Sequence, residues 1–260
     1  MPRYKLTLEY EGTRYSGWQR QINARTVQGA LDEAVRAVCK TTSYELYGAG
    51  RTDAGVHALH QIAHLEVKNM LTPEVLRYRL NDELPADVNI VAIERAHPAF
   101  HARHDATSRS YLYQISRRRT AFGKRYVWWV KDKLDAAAIA AAMREFEGMH
   151  DFQSFTDDDP EDKSTKVKVE GIEVGESGDL ILIRIVGSHF VWKLVRRLVG
   201  VAVEVGRGKL SLEEVRGMLA KRSDVPARLT APPSGLFLER VHYKGDPPLA
   251  TLSPVMRIGS

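Results

Sequence analysis

Residues 48–58 read Gly48-Ala49-Gly50-Arg51-Thr52-Asp53-Ala54-Gly55-Val56-His57-Ala58, the densest run of chemically useful types in the chain. Its three glycines permit backbone conformations closed to other residues and let a ligand approach the main chain. A guanidinium beside a carboxylate favours the charged form, so Arg51 next to Asp53 yields an ionised carboxylate able to act as a nucleophile. The same spacing also fits an Asx-type turn in which Asp53 accepts local backbone hydrogen bonds. Asp-Ala-Gly is common in loops, and spacing alone favours that turn. His57, His60 and His64 raise the question of a metal. They would share a helix face, but Gln61–Val67 reads as a strand, on which His57 faces away from the other two. No HExxH pattern occurs, and no metal is expected.

The elements around this loop follow from periodicity. Tyr4, Leu6, Leu8 and Tyr10 alternate with Lys5, Thr7 and Glu9, which predicts a half-buried strand. Thr26 caps a helix with apolar positions Val27, Ala30, Leu31, Ala34, Val35 and Val38. Tyr44–Tyr47 and Gln61–Val67 read as strands. Thr72-Pro73-Glu74 starts a helix reaching about Asn81, and Val88–Ile93 reads as a strand. Ser108–Ser116 is a further strand, and Asp135 caps an Ala-rich helix up to Glu147, stopped by Gly148. Lys166–Val174 and Leu180–Val186 form a hairpin about residues 176–179. A long helix spans Phe190–Val205, and Ser211 with Glu214 is a capping box for another, to about Arg222. Leu236–Tyr243 is the last strand.

Each half can be written β-α-β-β-α-β, with an extra helix in the second. The expected fold is α+β, two such halves sharing antiparallel sheets around a central cleft. The expected domains are residues 1–104 and 105–260, divided in the His-rich stretch 97–105. The chain has 260 residues, one cysteine (Cys39), and 38 Lys+Arg against 33 Asp+Glu. A single cysteine excludes an intramolecular disulfide and a Cys-based zinc cluster. The opening residues carry no secretory apolar stretch and no run approaches membrane-spanning length, so a cytoplasmic protein without a membrane is expected. The net charge of +5 hints at a polyanionic partner.

Residues 50–58 resemble the signature loop of the TruA-type tRNA pseudouridine synthases, and six further stretches resemble that family in order. Tyr10-Glu11-Gly12 through Ser16-Gly17-Trp18-Gln19-Arg20-Gln21 is similar to its YDG…GWQRQ opening. Asn81 to Pro85 resembles its N-x-x-LP turn, Phe100-His101-Ala102-Arg103 its FHAR, and Ala106–Tyr113 its AT-x-R-x-Y-x-Y strand. Phe190-Val191, Val195-Arg196, Val199-Gly200 and Glu204-Val205-Gly206 resemble its long helix, and Ala231–Leu236 its tail. Two positions depart from the pattern. His60 stands where glycine is common, and Ser188-His189 replaces an Asn-containing lead into the long helix.

The resemblance implies an isomerase that converts uridine to pseudouridine at positions 38, 39 and 40 of the tRNA anticodon stem-loop, with no cofactor or metal. It implies a homodimer whose second subunit helps to hold the tRNA. Asp53 matches the catalytic aspartate, which either attacks ribose C1′ or takes a 2′ proton to form a glycal. Arg196 matches the arginine paired with it. On a helical wheel Arg196 lies at the edge of a polar sector with Lys193, Arg197 and Gly200, within reach of a cleft; without the resemblance it reads as a snorkelling surface arginine. Tyr111 matches the active-site tyrosine, able to stack on an extruded uracil and to assist proton removal from C5. It shares a strand face with Tyr113, a placement equally typical of core packing. Arg51 matches the arginine that holds the flipped position; binding a backbone phosphate is the simpler alternative.

Arg117-Arg118-Arg119, Lys124-Arg125-Tyr126 and Trp128-Trp129 serve a tRNA-backbone contact and a solvated loop equally well. Lys193 and Arg197 are further candidates for phosphate. Many acids fall on helix starts and in the 157–162 loop, away from these sites, so a modest net charge can conceal a basic face. The alternative from another class is a non-catalytic RNA-binding protein, but its aromatic RNP1 signature is missing. A metal-dependent hydrolase fails on histidine spacing.

Overall fold

The computed structural model describes residues 1–68, 71–161 and 164–257. They form two compact units, Met1–Thr107 with Phe237–Asp246, and Ser108–Leu236 with Pro247 onward.

The first unit opens with β1 (Arg3–Tyr10), α1 (Val27–Cys39), β2 (Tyr44–Gly48), β3 (His57–Val67), α2 (Pro73–Glu83) and β4 (Val88–Arg95), the expected β-α-β-β-α-β order. β1 lies between β3 and β4, antiparallel to both. Its alternation puts Tyr4, Leu6, Leu8 and Tyr10 inside, in a core shared with Leu31 and Val35 of α1 and Leu76 and Leu80 of α2. Thr26 caps α1 by accepting from Gly29 N–H, and Thr72 caps α2 from Val75 N–H with Pro73 in the first turn. Each cap satisfies a donor that the helix start leaves open. Asn81 ties α2 to β4 through paired bonds with the Ile90 backbone.

The second unit contains β5 (Ala106–Ser116), β6 (Trp128–Trp129), α3 (Ala136–Arg144), β7 (Gly148–Asp151), β8 (Lys166–Ser177), β9 (Leu180–Gly187), α4 (Leu194–Gly206), α5 (Leu212–Ala220) and α6 (Val225–Arg228). β5, β9, β8 and β7 pair antiparallel in that order, and β6 adds a short parallel contact to the end of β5. The Ser211–Glu214 capping box is present.

Four sequence expectations change here. The Ala-rich helix ends at Arg144, short of Glu147, and a turn leads to β7, which opens on Gly148 at φ +100°. The long helix begins at Leu194, not Phe190, after Lys193 adopts a left-handed φ of 60°. The polar sector assigned to α4 is not a solvent face: every residue of α4 except Arg196 and Glu204 is buried, Arg197 and Gly200 included. A Cβ on Gly200 would lie 1.7 Å from the Leu229 carbonyl oxygen. The second half also contains more strands than a β-α-β-β-α-β unit.

β10 (Leu236–Tyr243) returns to the first unit, where Phe237 and Leu238 pair parallel with His57 and Ala58 of β3. The rest of that β3 edge is taken by β2, antiparallel from Tyr44↔Val67 to Gly48↔Ala63. This pairing places residues 237–246 with the first unit, where the sequence division kept them with the second. Among the described residues, no helix is long and apolar enough to cross a membrane.

Candidate active site

Asp53 lies in the turn between β2 and β3, half-buried, with its backbone carbonyl accepting from Val56 N–H at 3.2 Å. The segment following β1 grips this turn along its length. Thr52 Oγ1 shares a 2.8 Å hydrogen bond with the buried Tyr10 hydroxyl, and Trp18 N–H donates to Thr52 O at 3.1 Å. Gly55 N–H donates to Tyr15 O at 3.1 Å, and Gly12 N–H to His57 Nδ1 at 3.0 Å. Gln61 Nε2 ties the Gly50 carbonyl. Burial raises the Tyr10 hydroxyl pKa well above its ordinary value, so it stays a neutral partner for Thr52.

The approach is close enough to require glycine at two positions. A Cβ on Gly12 would sit 1.9 Å from the Val56 carbonyl oxygen, and one on Gly17, whose φ is +96°, 2.5 Å from Thr52 O. The glycines of the 10–21 stretch thus serve the Asp53 turn by letting two backbones touch. Trp18, 2% exposed, packs at a ring distance of 6.1 Å from Tyr10. These bonds fix the backbone of the turn, and so the point from which the Asp53 side chain projects.

Two of the three histidines of β3, His57 and His64, are structural partners. His57 accepts through Nδ1 from Gly12, which puts the proton of the neutral ring on Nε2, and it stacks on Phe237 at 4.8 Å. His64 accepts through Nδ1 from Ala102 N–H and lies 4.7 Å edge-on from His101. Burial, then the nearby His101 and Arg3, lower the His64 pKa to about 4. Burial, then Arg240, also lower that of His60. Among the described residues, no three His, Cys, Asp or Glu side chains are grouped to share a metal ion.

Arg51 is exposed, and its Nε–H donates to Gln19 Oε1 at 3.1 Å. A Gln19 oxygen thus takes one edge of the Arg51 guanidinium.

In the second unit Tyr111 sits on β5 opposite Ile185, 9% exposed, with its ring edge-on to Phe190 at 5.0 Å. Arg196 Nε donates to Ala231 O at 2.7 Å, and Ala231 N–H returns a bond to Arg196 O at 3.0 Å. Tyr113 is a scaffold residue: fully buried, it donates its hydroxyl to Pro232 O at 2.7 Å. The Ala231–Gly235 segment therefore joins the Arg196 turn of α4 to the tyrosine strand. Arg109, which sequence reasoning left without a role, donates Nη1 to Ser188 O at 2.9 Å and fixes the lead into Phe190.

Two phosphate candidates are corrected. Arg197 is 3% exposed and its Nη2 is bonded to Asp157 Oδ1, while Lys193 Nζ lies 3.0 Å from Asp157 Oδ2. The acidic loop is not remote from the basic helix start: it neutralises it. In the 117–125 tract, Arg117 pairs with Glu176 and Arg118 with Asp179, while Arg119 lies over the Trp129 ring at 5.8 Å.

A sequence profile of the tRNA pseudouridine synthase family matches residues 7–105 and 142–244. The chain belongs to that family. It is 40% identical to a tRNA pseudouridine synthase A of Nitrobacter winogradskyi over 252 residues, covering 96% of this chain and 98% of that one. It is 41% identical to that of Nitrobacter hamburgensis over 246 residues, 94% of this chain and 100% of that one. It is 41% identical to that of Rhodopseudomonas palustris strain BisA53 over 247 residues, with the same coverage. The matched spans contain the positions of Asp53, Arg51 and Arg196, and Tyr111 lies between them.

Proposed function

We propose that this protein isomerises uridine to pseudouridine in tRNA, at positions 38, 39 and 40 of the anticodon stem-loop. The observation that carries the reading is a family-matched loop in which Asp53 is locked from both sides by the 10–18 segment. The target uridine is extruded from its stack, since its glycosidic bond is inaccessible within it. The C1′–N1 bond breaks with Asp53 either attacking C1′ or taking the 2′ proton. The uracil turns and C5 bonds to C1′, displacing the Asp53 carboxylate from C1′ in the first route or with Asp53 returning the proton to C2′ in the second. The C5 proton then leaves while N1 regains one. Nothing is oxidised or reduced, and the product is an isomer.

In this proposal Arg196 pairs with the Asp53 carboxylate, and Tyr111 stacks on the uracil and assists removal of the C5 proton. Arg51 holds the flipped position. The division of labour puts the aspartate loop in one domain and the tyrosine strand and arginine helix in the other. A homodimer acting in the cytoplasm completes the reading.

The test is release of tritium from tRNA carrying [5-³H]uridine. Wild type should release it, and Asp53→Ala should bind the tRNA without releasing any. Wild type that binds but releases none from any tRNA with uridines in that arm would leave a non-catalytic RNA-binding protein. Affinity should fall steeply with salt, as phosphate contacts require. Arg51→Lys separates the two roles of Arg51, because a phosphate contact tolerates lysine and a stacked or bidentate one does not.

A further inference from the structure

An arginine on an exposed loop samples many rotamers unless its neighbours restrict it. Arg51 is restricted through two glutamines. Its Nε–H donates to Gln19 Oε1 at 3.1 Å, and Gln19 Nε2 donates to Gln28 Oε1 at 3.0 Å. Gln28 Oε1 also accepts from Arg20 N–H at 3.2 Å, and Gln28 Nε2 donates to the Leu46 carbonyl at 3.2 Å. Gln28 itself stands in the first turn of α1, where Val27 N–H and Gln28 N–H bond Gly17 O and Trp18 O.

The direction of this relay follows from its ends. A backbone carbonyl only accepts and a backbone N–H only donates, so Leu46 and Arg20 leave Gln28 one amide orientation. Flipping Gln28 would set its oxygen against the Leu46 carbonyl and its NH₂ against Arg20 N–H. With Gln28 set, Gln19 turns its NH₂ inward and its oxygen outward, which is what a guanidinium needs. Both amides are thus committed before any ligand is bound, and the outer oxygen fixes one edge of Arg51 while the rest of the guanidinium lies on an exposed loop.

We propose that Gln28 and Gln19 are positioning residues that aim Arg51 at the substrate RNA. The proposal rests on the isomerase reading and gives it a rigid support reaching back to α1. Gln28→Met keeps the side-chain length and removes both amide functions. Under single-turnover conditions its tritium release should slow by about tenfold, as expected for a misplaced contact group. Its tRNA dissociation constant should stay within about twofold of wild type.

A loss of packing would produce the same slowing, so the deciding measurement is a double-mutant cycle with Arg51→Ala. Gln28→Met should cost nothing further once Arg51 is gone. Gln19→Met, at a half-exposed position outside any helix, repeats the cycle should the α1 substitution impair folding. An unchanged rate in both glutamine variants, or the same loss with and without Arg51, overturns the relay while leaving the isomerase reading intact. Wild type that releases no tritium removes the isomerase reading, and the relay with it.

Discussion

Gly12→Ala is a small substitution with a large expected effect. The new methyl carbon would lie 1.9 Å from the Val56 carbonyl oxygen and 2.5 Å from its carbon, where ordinary contact begins at 3.4 Å. Both obstacles are backbone, so one chain must retreat by about 1.5 Å, and tight packing offers nowhere to absorb it locally. Val56 N–H is bonded to the Asp53 carbonyl and Gly12 N–H to His57 Nδ1, so the displacement is applied to the Asp53 turn. A misplacement of about 1 Å at a reacting group costs on the order of a hundredfold in rate, and overpacking costs about 1–3 kcal/mol of stability. Single-turnover tritium release by variant protein shown folded by circular dichroism should therefore fall by about a hundredfold. tRNA binding measured on filters should persist. A folded Gly12→Ala enzyme working within about threefold of the wild-type rate would refute the claim that this contact positions Asp53.

Three other outcomes are expected. Asp157→Ala should destabilise the protein by about 1–3 kcal/mol in urea unfolding, because it strands the buried Arg197 charge beside a half-exposed partner; a phosphate-binding role for Arg197 would instead alter the salt dependence of tRNA binding at unchanged stability. Gly217→Ala should raise stability by about 0.5–1 kcal/mol, since the residue is inside α5 and a Cβ there meets nothing within 4 Å. The His64 ring has a folded pKa of about 4, lowered chiefly by burial, so the unfolded chain binds its proton more readily. Stability from this group is fully present above about pH 6.5 and is lost as pH falls from there towards 4. Urea midpoints taken across that range should show the decline, and His64→Asn should flatten it.

Local pattern carried far in the first unit and less far in the second. Its six opening elements announce themselves through alternation in β1, the Thr26 and Thr72 caps, and Pro73. α4 misled for a physical reason. A helical wheel assigns Arg197 and Gly200 outward by residue type, but Asp157 and the Leu229 carbonyl arrive from distant parts of the chain and cover them. β6 is two residues long and α6 four, too short to establish any period. Gly148 reads as a helix stop, but only its pairing opposite Val169 of β8 reveals that a strand follows. Asp53 stood out by spacing and took its chemical assignment from resemblance. The grips of Tyr10 on Thr52 and of Gln28 on Gln19 join residues whose partnership exists only in three dimensions. The clue to them was the clustering of Gly12, Gly17 and Trp18, which local rules do not explain.

The pairing of β10 with β3 also sets a schedule for the molecule's birth. About 180 residues separate the two strands, so at 5–20 residues per second a ribosome takes on the order of 10–40 s to supply the second after the first. Throughout that interval the stretch at His57 and Ala58 has an open edge, and His57 lacks the Phe237 ring that later stacks on it. The Asp53 turn itself is moored early, by the 10–18 segment made before it, while the strand that leaves it waits for its second neighbour. A growing chain is exposed to unwanted strand pairing at that edge until residues 237 and 238 emerge to close it.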